Sequence, residues 1–285
     1  MSGNEQRDGR KLAYAGAGTA LYVYCIAETG AAREVIKDAT LSALEDGTKV
    51  NIVERDSISA VVSSVPLTDY GEDQLTNNLS DATWLAPRAM RHEQVVEHFA
   101  KRTSVVPLRF GTVYLNQRGI EGMLSAKHQE LMNIIERLRG REEWGVNIYF
   151  DRTQLLQTIT SVSPKLRELA SQAQEAAPGQ SYLLRKKIDS LRVDEVRTEM
   201  TRLIDETEKR LLASSDEVRR LRVLKVESTE HGELKAKFAV LIKRSAYEDF
   251  HSSVERWAVE NQQSGMRLEL TGPWPAYNFT DEKSA

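Results

Sequence analysis

The 285-residue chain contains one cysteine, Cys25, so an intramolecular disulfide framework and any multi-cysteine zinc site are excluded. No apolar run approaches the roughly 18 to 20 residues needed to span a bilayer. Met1 to Arg10 is polar and lacks an apolar signal core, which points away from export by the common route. Charge of one sign is also missing. The 39 basic and 42 acidic residues leave a formal net charge of −3, against a strongly basic nucleic-acid binder. There is no G-x-x-x-x-G-K-[ST] loop, no H-E-x-x-H and no EF-hand pattern. The five histidines are His92, His98, His128, His231 and His251, and none stands four residues from another on a helix. What is present is ordinary for a soluble globular protein: 40% hydrophobic and 28% charged residues, with length for one large domain or two of usual size. Composition suggests a soluble cytoplasmic protein and is otherwise silent about function.

Residues 1–20 lack the apolar periodicity of a packed element and read as a flexible tail. Ala15-Gly16-Ala17-Gly18-Thr19-Ala20 resembles part of a dinucleotide fingerprint, but it precedes the first strand where such a loop must follow one. Leu21 to Ala27 is a β-branched and aromatic run, hence a strand. Ala31 to Leu44 reads as a helix stopped by Glu45-Asp46-Gly47. Val50 to Glu54 and Ile58 to Val65 read as strands joined by a polar turn, and Thr68 to Ser80 as a loop. Asp81 is placed to cap a helix carrying Leu85, Ala89, His92, Val96 and Phe99 on one face. Val105 to Phe110 is the next strand. Pro107 cannot donate a ladder hydrogen bond, so that strand belongs at a sheet edge. The order is β-α-β-β-α-β, a ferredoxin-like unit.

A connecting helix follows, with Ile120, Leu124, Leu131, Ile135 and Leu138 on one stripe and Gly140 as its stop. Trp144 to Phe150 is a strand. Thr153 to Ala176 is helical with a break at Pro164, and Ser181 to Ala213 is a long, heavily charged helix in which Asp205/Lys209 and Glu206/Arg210 stand in acid-first order four apart. Val218 to Glu227 and Glu233 to Lys243 form a hairpin, with Leu234, Ala236, Phe238, Val240 and Ile242 alternating onto one face. A helix with Tyr247, Phe250, Val254 and Trp257 on its stripe leads to a last strand with Met266, Leu268 and Leu270 on one face. The order β-α-β-β-α-β recurs. The expected architecture is therefore α+β with two ferredoxin-like domains, 21–140 and 141–285, the second modified by a long helical insertion.

Few residues suggest chemistry. His92 lies on an apolar stripe and reads as a satisfied core histidine. Cys25, in an apolar strand, reads as a small hydrophobe whose thiol pKa rises on burial. Glu142 and Glu143, adjacent on a strand, point to opposite faces and do not converge. Arg109, between Leu108 and Phe110, is a candidate anion or partner contact, against the alternative of an edge-strand arginine in a structural salt bridge. Arg219, Arg220, Arg222 and Lys225 form a basic cluster, but acidic residues interleave with it and the aromatic ribonucleoprotein signature is missing. No catalytic, cofactor-binding or metal-ligating residues are expected.

Four stretches together resemble the GvpL/GvpF family of gas vesicle proteins. Val105 to Tyr114 (VVPLRFGTVY) is similar to its Pro-Leu-Arg-Phe-Gly segment. Gly140 to Tyr149 (GREEWGVNIY) resembles the run where Glu-Trp-Gly opens a strand. Leu270 to Phe279 (LTGPWPAYNF) resembles the family's Gly-Pro-Trp-Pro-x-Tyr-x-Phe close, and Leu21 to Ala27 (LYVYCIA) its opening strand. The resemblance implies a non-enzymatic accessory protein of gas vesicle assembly, a minor vesicle component without cofactor. Its implied partners are the small apolar shell protein GvpA and other accessory proteins, with no nucleic acid or membrane partner. It implies a cytoplasmic, vesicle-associated location and a two-domain α+β fold.

The expected partner-binding residues are Arg109, Trp274, Tyr277 and Phe279. Two prolines stiffen the closing segment, and its aromatics supply contact area at low entropy cost. The opposing reading has these aromatics folding back to close the second core. Two further function classes stay open: a ferredoxin-like regulator of small ligands or RNA, and an enzyme built on Cys25 or a histidine, which linear spacing does not support.

Overall fold

The computed structural model describes residues 18–37, 41–223, 228–229 and 232–281. The readings made for residues 1–17, Lys225 and His231 fall outside these. The chain divides into two compact units, Met1–Arg139 with Pro275–Ala285, and Gly140–Trp274. The closing residues from Pro275 onward thus group with the first unit, not with the second as their position in sequence suggests.

In the first unit, β1 (Thr19–Glu28), β2 (Asn51–Arg55), β3 (Ile58–Pro66) and β4 (Val105–Pro107) form an antiparallel sheet in the order β2-β3-β1-β4, and β5 (Val113–Tyr114) pairs with β1. Pro107 does lie in a strand at the end of the sheet order, where its missing N–H costs nothing. Every residue of β1 from Ala20 to Ala27 is buried, so the central strand is covered on both faces. The helices α1 (Thr29–Lys37), α2 (Leu67–Tyr70), α3 (Glu72–Asn78), α4 (Ala82–Ala100), α5 (Gln117–Ala126) and α6 (His128–Leu138) supply that cover. Asp81 caps α4 as expected, accepting from the Thr83 N–H at 2.9 Å. His92, Val96 and Phe99 are buried, while Leu85 and Ala89 are half-buried.

Four expectations change here. The described first helix is Thr29–Lys37, and Leu44, though buried, is not helical. Its N–H is taken by Tyr24 Oη at 2.8 Å and its carbonyl by Arg91 Nη1 at 3.0 Å, tertiary bonds that replace helical ones. Thr68 to Ser80 is not a loop: α2 and α3 form there, with Glu72 and Asp73 at the favourable N-terminal end of α3 and Tyr70 buried. The strand at Val105 ends at Pro107, because Gly111 (φ 89°) turns the chain and Thr112 Oγ1 donates to Arg109 O. The strand reading of Arg109 is therefore corrected: it stands exposed in a turn. The connecting helix is two helices broken at Lys127, although all five stripe residues are buried.

The second unit has β6 (Arg141–Phe150), β7 (Glu217–Leu221), β8 (Ser228–Thr229), β9 (Gly232–Lys243) and β10 (Met266–Trp274), antiparallel in the order β10-β6-β9-β7 with β8 on β9. Its helices are α7 (Arg152–Val162), α8 (Pro164–Glu175), α9 (Pro178–Ser214) and α10 (Tyr247–Glu260). Pro164 breaks α7 from α8 by opening the latter, with Ser163 as its cap. The core joins Val146, Ile148, Phe238 and Val240 of the sheet to Leu155, Leu203, Phe250 and Trp257 of the helices. Trp257 Nε1 donates to Thr207 Oγ1 at 2.8 Å, and Arg210 stacks on the same indole at 3.9 Å. Of the two helical pairs read from spacing, Glu206–Arg210 forms at 3.6 Å, whereas Asp205 turns toward Arg220 at 3.9 Å.

Candidate functional site

A β-bulge in β1 organises the buried polar centre of the first unit. Val23 pairs with Val62 and Cys25 with Val61, so Tyr24 is the inserted residue. The bulge brings Tyr22, Tyr24 and Cys25 into one cluster with Phe99, Val95 and Tyr70. Tyr24 Oη meets Ser63 Oγ at 2.8 Å, and burial pushes its phenol up to about 12. Burial likewise pushes the Cys25 thiol far above its usual range, which matches the reading of an inert hydrophobe.

Tyr22, His92, Tyr277 and Glu93 form a chain of hydrogen bonds. The Gly111 N–H donates to Tyr22 Oη at 3.2 Å; Tyr22 Oη lies 2.8 Å from His92 Nδ1; His92 Nε2 lies 3.0 Å from Tyr277 Oη; Tyr277 Oη donates to Glu93 Oε2 at 3.1 Å. One arrangement of protons satisfies all of them. Tyr22 donates to Nδ1, the Nε2–H donates to Tyr277, and Tyr277 donates to the carboxylate. The opposite tautomer leaves the Tyr22 proton without an acceptor in this chain and removes the Tyr277 donation to Glu93. Burial holds His92 down to about 4, so the imidazole is neutral at neutral pH. Burial raises the Glu93 carboxyl, and burial together with the neighbouring Glu93 raises Tyr277. His92 is thus a satisfied core histidine, 3% exposed, as its stripe position suggests.

The four expected contact residues are placed differently from one another. Phe279 is fully buried, and Arg137 donates to its carbonyl. Tyr277 is half-buried and bonded as above. Both close the first unit, so the alternative in which they close the second core is corrected. Trp274 ends β10, opposite Glu143 of β6, and is 50% exposed, with Nε1 donating to Thr271 Oγ1 at 3.3 Å. Arg109 is exposed, and its guanidinium has no ion-pair partner among the described residues. In the basic cluster, Arg220 is held by Glu208 at 3.4 Å and lies 5.8 Å over Phe238. Glu142 accepts from Trp144 Nε1 at 3.0 Å while Glu143 is buried, so the two carboxylates do not converge. Among the described residues no group of three or more His, Cys, Asp or Glu side chains is arranged to hold a metal ion. No described helix is long and apolar enough to cross a membrane.

The sequence profile of the gas vesicle synthesis protein GvpL/GvpF family matches residues 20–281. The chain belongs to this family. It is 29% identical over 236 residues to gas vesicle protein L of a Streptomyces species, covering 82% of this chain and 84% of that one. It is 26% identical over 265 residues to gas vesicle protein L1 of Halobacterium salinarum, covering 92% and 90%. The crystal structure of GvpF from an Anabaena species shares the fold, with a TM-score of 0.63 at 21% identity over 92% of this chain and 96% of that one. Membership of the GvpL/GvpF family extends over both units, so the mixed helix-and-sheet fold and the closing segment are both within the match.

Proposed function

We propose that this GvpL/GvpF chain is a non-enzymatic accessory protein of gas vesicle assembly that binds the small apolar shell protein GvpA, in nucleation or as a chaperone, and works in the cytoplasm at the vesicle. Shell subunits expose apolar surface before they assemble, and a partner with a rigid aromatic contact can hold them. The observation that carries this reading is Trp274: a half-exposed indole on the end of a paired strand. Arg109, exposed in its turn, is proposed as a second contact. Tyr277 and Phe279 are proposed to act behind these, by fixing the segment. The strand order supports a ferredoxin-like reading of both units. Numbering each unit's main strands by sequence, both sheets run 4-1-3-2 with all pairs antiparallel, the second carrying α7 to α9 in its first crossover.

The test is co-expression with GvpA and capture of the complex, with an unrelated apolar peptide as control. Wild type should capture GvpA selectively. Trp274→Ala should fold normally and lose about 2 kcal/mol of binding, some thirtyfold in Kd. Wild-type affinity in that variant removes Trp274 as the contact, and no capture by the folded wild type removes direct shell binding.

A further inference from the structure

We infer that the flank of α9 in the second unit is a docking groove for an acidic amphipathic helix of a partner protein. The floor of the groove is Val193, Val196, Met200 and Ile204, spaced three, four and four along one side of α9. Val193 is 46% exposed and Met200 half-buried, while Val196 and Ile204 are buried. The cavity is about 260 Å³. That is below the roughly 300 Å³ at which small-molecule sites begin, and an open trough ridged at helical spacing suits the side chains of a second helix.

The rim decides the partner's charge. Arg152 at the start of α7, Arg197 on α9 and Lys235 on β9 surround the floor. Three carboxylates stand among them: Glu233 on Lys235 at 2.5 Å, Asp194 on Arg197 at 3.7 Å, and the exposed Asp189 one turn before Val193. The excess of positive charge grows toward the N-terminal end of the helix. Arg185, Lys186 and Lys187 are exposed there, and Pro178 to Ile188 contains no acidic residue. Tyr182, 60% exposed, continues the apolar line, with Lys186 Nζ 5.8 Å over its ring. Tyr182, Lys186, Asp189, Val193, Arg197 and Met200 fall on one helical stripe. An apolar stripe rimmed by cations is complementary to an apolar stripe flanked by glutamate or aspartate. This inference goes beyond the shell-protein reading and does not rest on Trp274.

The probe is a labelled synthetic helix of about five turns, with leucines at three- and four-residue spacing flanked by glutamates. Its counterpart carries lysines in place of the glutamates. Anisotropy titrations use the full chain at low and high salt. The acidic helix should bind at least about tenfold tighter than the lysine helix, and the difference should shrink with salt. The double variant R197E/K235E should reverse the preference; the Arg197 side chain is 78% exposed and that of Lys235 31%. Val193→Asp should abolish binding of both helices, and circular dichroism confirms that each variant folds. Trp274→Ala should leave peptide binding unchanged, so this test and the shell-protein test fail separately. Equal affinity for the two helices, or an unchanged preference in R197E/K235E, overturns the proposal. So does binding to phosphatidylglycerol vesicles without peptide binding, or a wild-type dimer dissolved by Val193→Asp, which would make the occupant a second copy.

Discussion

Tyr277→Phe removes one oxygen and nothing else, so its cost can be worked from the hydrogen-bond chain. That hydroxyl accepts from His92 Nε2 at 3.0 Å and donates to Glu93 Oε2 at 3.1 Å. Without it, the buried imidazole loses a partner, at about 1 to 3 kcal/mol, with the Leu108 backbone left beside it, and a hydrogen bond to a charged acceptor is lost, at about 1.5 to 3 kcal/mol. Glu93 is half-buried and regains part of its loss from water. The expected destabilisation of the first unit is therefore about 2 to 3 kcal/mol, thirtyfold or more in its unfolding constant. The ring is kept, so packing does not confound the result. Urea unfolding followed by NMR of fluorotryptophan-labelled protein isolates Trp84, the tryptophan of this unit, from those of the second. Phe279→Ala sets the scale for loss of the whole anchor, at about 3 to 5 kcal/mol. A Tyr277→Phe effect below about 0.5 kcal/mol would refute the relay and leave only packing to hold the segment.

Two further outcomes follow from the same cores. His92 is held near 4 in the fold and titrates near 6.5 when unfolded, so between those values the unfolded chain binds the extra proton. The first unit should lose stability as pH falls from about 6.5 to 4, by up to about 3 kcal/mol, with the raised Glu93 opposing part of it. Urea midpoints that stay flat across that window contradict the assignment. Gly265→Ala should destabilise the second unit by about 2 kcal/mol or more, because φ is 66° and a Cβ there would lie 2.7 Å from Asp151 O. Thermal unfolding followed at Trp144 and Trp257 reads this directly, and an unchanged Tm would sink the reasoning.

Much of this was legible in sequence because it depends on local patterning. The alternation of Ala236, Phe238, Val240 and Ile242, the cap at Asp81, the break at Pro164 and the core position of His92 appear as expected, whereas a register shift pairs Leu234 with Tyr149 and takes it off that face. These features follow from side-chain period, capping and backbone chemistry, which a short window contains. The four short segments that resemble the family also lie within the profile match. The departures share a cause too. The backbone of Leu44 is claimed by Tyr24 and Arg91, and the turn at Gly111 carries Arg109 off the strand. In both places a distant bond or a single glycine outweighs local propensity.

The chain itself determined that it is an α+β protein with one buried, inert thiol, and its motifs determined its family. Tertiary structure alone decided the fate of the closing aromatics. Trp274, Tyr277 and Phe279 lie within six residues and look equivalent as contact residues. Yet the unit boundary at Pro275 leaves the first half-exposed and commits the other two to the first core. The physical reason is that their partners, His92, Glu93 and Arg137, stand more than a hundred residues away in sequence. A hydrogen bond closed over that distance is decided by the folded sheet and helices that bring its ends together, and no local pattern encodes it.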